Sequence, residues 1–124
     1  MKPLAALGLV GALGLVACQS TSGSSTDDEL AGAKTQVHRL FDAVEKSDCT
    51  TIEALVPTAA GKCDTFLHEW REDLHVSLVD TPEVKRDGRD KRAIIVTTTV
   101  MRHGEKQTML IRATHEKGAW QLAL

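Results

Sequence analysis

Tyrosine is absent from the chain, and the other aromatics amount to two Trp and two Phe. Each ring must therefore carry an unusual share of any core or pocket. Charge of one sign is lacking as well. Lys and Arg number 15 against 17 Asp and Glu, a formal net charge of -2, which leaves no electrostatic footprint for nucleic acid. No apolar run reaches the about 20 residues that a membrane-spanning helix requires. Neither a paired-cysteine zinc motif nor an HExxH constellation is present, so no metal and no cofactor is expected.

What is there begins with a leader. Lys2 supplies a positive start, Leu4 to Val16 is an unbroken run of Leu, Val, Ala and Gly, and small Ala17 precedes Cys18. That is the layout of a secretory signal, too short to span and without a stop-transfer flank. The tetrad Leu15-Val16-Ala17-Cys18 resembles the bacterial lipobox. The resemblance implies a diacylglyceryl thioether on Cys18, cleavage just before it, and acylation of the new amino group. One acyl chain anchors marginally and two or three anchor stably, at about 0.8 kcal/mol per buried CH₂. The alternative is an ordinary signal cleaved nearby, which would leave a free thiol. Residues 1–17 are thus read as signal peptide and 18–28 as lipidated Cys plus a flexible Ser/Thr/Gly tether, with a domain over 29–124. Gln19, rather than Asp, after the lipidated Cys resembles the enterobacterial sorting pattern for the outer membrane. A cell-envelope location follows, facing the periplasm in a Gram-negative cell.

Three cysteines are an odd number for an exported chain. Lipidation of Cys18 removes the anomaly and leaves Cys49 and Cys63 as the only pair. A metal site would need His or Cys partners at zinc spacing, so a structural disulfide is the better reading.

Within the domain, Leu30, Ala33, Val37, Leu40, Phe41 and Val44 recur at helical spacing behind the candidate caps Thr26, Asp27 and Asp28. A short second helix carries Ile52, Leu55 and Val56 behind Thr50 or Thr51 and ends at Pro57. A third runs from Asp64 through Phe66, Leu67, Trp70 and Leu74. The disulfide would then tie the end of the first helix to the start of the third. Beyond His75 the period becomes two, and Asp87-Gly88, His103-Gly104 and Lys117-Gly118 divide the rest into four strands of an antiparallel meander. Pro82 places the first strand at an edge or a bulge. Helices followed by strands give an α+β fold.

This element order, closed by Gly118-Ala119-Trp120-Gln121-Leu122, resembles the NTF2-like superfamily, especially its small lipoprotein members. The resemblance implies a cystatin-like cone: a curved sheet wrapped around the first helix, with a pocket at its open end. Some members are isomerases, cyclases or dehydratases using pocket Asp, His or Tyr, and others only bind ligands or partners. The absence of Tyr and of a transferable acid/base motif weighs against an enzyme.

His38 and Asp42 lie one helical turn apart and form the one candidate proton-transfer pair, although exposed pairs at this spacing are common. His68 with Glu72 or His75 falls short of the three protein ligands of a catalytic zinc. His103 and His115 fall at or near turns. Thr97 to Thr99 suits a strand as well as a polar pocket wall. Phe41, Trp70, Met101, Met109 and Trp120 are candidates to line an apolar cavity, with ordinary core as the alternative. The stretch Lys85, Arg86, Arg89, Lys91 and Arg92, interrupted by Asp87 and Asp90, reads as a solvated hairpin tip. These features together lead to an expected non-catalytic envelope lipoprotein, bound to the membrane through Cys18, whose domain takes an apolar small molecule or an envelope protein. The alternatives are a proton-transfer enzyme of isomerase or dehydratase type, and a structural or assembly role.

Overall fold

The computed structural model describes the backbone over residues 12–124 and side chains from residue 27 onward. The start of the leader and the side chains of the lipobox and tether, Cys18 among them, lie outside the described residues.

The first helix, α1, spans Ala12–Lys46. Helix therefore runs through the segment expected to be an irregular tether, and Thr26, Asp27 and Asp28 sit inside it rather than capping it. Ser, Thr and Gly disfavour a helix by less than about 1 kcal/mol each, and no proline lies between Pro3 and Pro57, so nothing stops propagation backward from the packed half. From Ala33 to Val44 the expected apolar stripe is buried, with Ala33, Val37 and Leu40 wholly inaccessible. Among the described residues no helix is long and apolar enough to cross a membrane.

A compact turn ends α1. Ser47 adopts a left-handed φ of 56°, and the Asp48 N–H donates 2.8 Å back to the Ala43 carbonyl, the bond that closes a helix C-terminus of Schellman type. Asp48 then caps α2 (Cys49–Leu55) by accepting the Thr51 N–H at 3.2 Å. The cap is thus Asp48 rather than Thr50 or Thr51, because the helix opens at Cys49, and Thr51 donates its hydroxyl to the same carboxylate at 2.7 Å. Pro57 ends α2 and begins a 3-10 turn over Pro57–Ala59.

Where one regular third helix was expected, α3 covers only Cys63–Leu67 and gives way to a π-helical turn over His68–Asp73. The wider turn directs Trp70 inward, its ring 4.8 Å from that of Phe66 and 5.3 Å from that of Phe41. Cys49 and Cys63 form the disulfide. It joins the first residues of α2 and α3 rather than the end of α1, although only two residues separate Lys46 from Cys49.

Strands β1 (Ser77–Arg86), β2 (Ala93–Arg102), β3 (Glu105–Glu116) and β4 (Ala119–Ala123) form one antiparallel sheet in the order β1-β2-β3-β4. Pro82 lies on the edge strand, within a register shift between Asp80 and Glu83. A residue without an N–H is tolerated at such a place. Alternation along β2 buries Ile94, Val96, Thr98 and Val100 against the helices, where Ile111, Ala113 and Leu122 join them. The fully buried Thr98 satisfies its hydroxyl by donating to the Val96 carbonyl at 3.1 Å. Both residues of His103-Gly104 and of Lys117-Gly118 have positive φ, which matches the twist of the strands they join.

Candidate functional site

The two ends of the sheet differ in how their polar groups are met. At the end holding the β1–β2 and β3–β4 turns, cations and carboxylates pair. Arg86 donates to Glu29 at 2.8 Å and to the Lys91 carbonyl at 2.8 Å, fastening β1 to α1. Arg112 contacts Asp90 at 3.0 Å and Asp87 at 3.4 Å, the latter too misaligned for a hydrogen bond. Arg92 reaches Asp90 at 3.3 Å and Glu116 at 3.1 Å. Hydrogen bonds from the Arg92 N–H and guanidinium hold the Asp90 carboxyl below its ordinary range, and Asp90 in turn raises Arg92. Of the basic stretch, Arg86 and Arg92 are tied into ion pairs, whereas Lys85, Arg89 and Lys91 meet no carboxylate among the described residues.

At the opposite end, α1, the π-helical turn and the start of β1 enclose a half-open groove of about 500 Å³. Phe41 and Leu78 give it apolar surface, while His38, Arg71, His75 and Ser77 give it donors. Local chain geometry sets several of these positions. Ser47, at the left-handed close of α1, accepts a hydrogen bond from Arg71 Nη1 at 2.5 Å. His75 closes the π-helical turn with a φ of 51°, after the Val76 N–H has reached back to the Trp70 carbonyl at 2.8 Å. His103 lies edge-on to His75 at 5.9 Å, and its N–H donates to the Leu74 carbonyl at 3.0 Å.

His38 and Asp42 both line this groove but do not form a pair. The His38 ring is hydrogen-bonded through Nε2 to Thr81 Oγ1 at 3.1 Å, and Asp42 forms an ion pair with Lys46 at 3.1 Å. Thr81 is 1% exposed, so the hydroxyl held against His38 is out of reach of a substrate.

The five residues expected to line an apolar cavity are dispersed. Phe41 alone touches the groove. Trp70 is core, and Met109 is half-buried against it. Met101 is half-buried on the sheet face away from Val100. Trp120 sits at the ion-paired end, stacked on His115 at 4.3 Å and pressed against Gly32. The aromatics were too few to fill both a core and a pocket, and the core took them. His68 lies 3.6 Å from Asp73, both exposed, and among the described residues no group of three or more His, Cys, Asp and Glu is arranged to hold a metal.

Arg71 and Ser77 escaped the sequence reading, and His75 entered it only as a metal partner. Their junction between a π-turn and an edge strand has no periodicity to betray it. Neither a protein-family model, nor a curated protein, nor a solved structure matches this chain.

Proposed function

We propose that this protein is an envelope lipoprotein, held by lipid on Cys18, whose domain binds a small ligand without catalysing its conversion. The observation that supports the anchor is the pairing of Cys49 with Cys63. Of the three cysteines this leaves Cys18, which stands at the end of an apolar leader where a lipobox places its thiol. Support for ligand binding comes from the half-open groove between α1 and β1, with apolar surface beside donors. In this reading the sheet curls around α1 as in the NTF2-like cone, and the groove is the mouth of that cone. A proton-transfer enzyme finds little support, because Asp42 is engaged by Lys46 and His38 by a buried hydroxyl.

Cys18→Ala tests the anchor. The wild-type protein should partition with membranes and carry an acyl mass on its N-terminal peptide, and the variant should appear in the soluble fraction unmodified. A variant that still sediments with membranes, or a wild-type chain without acyl mass, would overturn the reading.

A further inference from the structure

We infer that the groove selects an amphipathic monoanion, a carboxylate carrying a short apolar portion, with Arg71 and His75 as its clamp and Phe41, Val76 and Leu78 as its apolar seat. This rests on the groove being a ligand site. Arg71 uses Nη1 on Ser47, and among the described residues its Nε and Nη2 have no acceptor. A guanidinium fixed at one nitrogen and open at the others is pre-oriented for a carboxylate. The side chains of His75 and Ser77 line the same space without a hydrogen-bond partner among the described residues.

Ordinary chain reversals bring these side chains together: Ser47 closes α1, His75 closes the π-helical turn and His103 opens the β2–β3 turn, with left-handed φ of 56°, 51° and 54°. Ser47 thereby holds Arg71, His75 lines the groove, and His103 packs edge-on to His75. The acidic side limits the charge of the ligand. Asp42 is neutralised by Lys46, whereas Glu45 lines the groove with no cation in ion-pair range among the described residues. A polyanion would be repelled, and a single carboxylate can face Arg71.

The full chain, reconstituted in lipid nanodiscs, would be titrated with hexanoate, hexanol and inorganic phosphate while amide shifts of the groove residues are followed by NMR. Hexanoate should saturate with shifts centred on Arg71, His75 and Leu78, at least tenfold more tightly than hexanol or phosphate. Arg71→Gln should weaken hexanoate tenfold or more and leave hexanol unchanged. His75→Gly, which relaxes the backbone and so should fold at least as well, should also weaken it. Hexanol matching hexanoate would overturn the anion clamp while leaving the groove a ligand site. Phosphate matching hexanoate would overturn the apolar seat. No saturable shift in the groove with any probe would overturn both the clamp and the ligand reading beneath it.

Discussion

The two ends of the sheet are built from the same residue types and reach opposite electrostatic outcomes. Near the start of the domain, Arg86, Arg92 and Arg112 each meet a carboxylate. At the groove, Arg71 meets only a serine hydroxyl, and His75 and Ser77 face open space. Exposed ion pairs contribute little stability individually, so the network mainly fixes where the hairpin tip sits on α1. Donors left unmet in a half-open groove do nothing for the fold and are free to recognise something else. The backbone does not repeat the contrast: Lys117, with a φ of 53° at the paired end, and His103, with a φ of 54° at the groove end, open equivalent hairpin turns.

The largest test of this division removes the covalent tie at the groove end. Cys49 and Cys63 are separated by 14 residues, and opening a loop of that length should cost about 3 kcal/mol through the greater entropy of the unfolded chain. In the Cys49→Ser/Cys63→Ser double variant, urea unfolding should shift by that amount. Hydrogen exchange should rise in α2, α3 and the π-turn, with the Arg86–Glu29 end unaffected. Uniform loss of protection would show that the two ends do not behave separately. At the opposite end Gly32→Ala is the next largest perturbation. A Cβ there would lie 2.9 Å from Trp120 Cζ2, and displacing a ring wedged against His115 should cost about 1–3 kcal/mol. Ala gains up to about 1 kcal/mol over Gly inside a helix, so an unchanged urea midpoint would mean that displacing Trp120 costs no more than that.

The elements that could be read from the sequence are those whose signal is periodic. The stripe from Ala33 to Val44 and the alternation from Ile94 to Val100 both survive into the structure, as do the edge position of Pro82 and the hairpin turns at Gly104 and Gly118. The failures fall where a local signal competed with packing. Asp27 and Asp28 look like caps, yet no helix breaker stands before them. The segment after Asp64 has helical spacing, yet inserting Trp70 between Phe41 and Phe66 widens the turn. The groove was legible only through His38, Asp42 and Phe41. Arg71 and Ser77 lie far apart from these in sequence, and only the fold of β1 back along α1 brings them together.

A smaller effect compares two left-handed residues at chain reversals, one lining the groove and one remote from it. His75→Gly and Lys117→Gly both relieve a left-handed residue and should each raise stability by up to about 1 kcal/mol, measured by urea unfolding. They should differ in function, since only His75→Gly weakens hexanoate. Equal hexanoate affinity in the two variants would mean that His75 is as incidental as Lys117.

The smallest effect distinguishes the origins of two depressed carboxyls, one at each end. Asp48 is lowered first by the Thr51 hydroxyl and then by the Thr51 N–H, and Asp90 first by the Arg92 N–H and then by its guanidinium. A carboxyl whose folded pKa lies below its unfolded value stabilises the protein fully above the unfolded value. That contribution is lost as pH falls through the folded one. Neither group should therefore alter stability between neutrality and about pH 5, and both should contribute to its progressive decline as pH falls further, past the ordinary value of 3.8. Salt tells them apart, because ions screen a guanidinium on the surface and leave a hydrogen bond from a neutral hydroxyl almost untouched. Carboxyl titration by NMR in about 0.5 M salt, where the screening length falls well below 10 Å, should move Asp90 further back toward its ordinary value than Asp48, on which the charges of Arg39 and Lys46 are only the last and smallest causes. If Asp90 moves no further than Asp48, the charges of Arg92 and Arg112 act on Asp90 no more strongly than those of Arg39 and Lys46 act on Asp48, and the electrostatic contrast between the two ends fails.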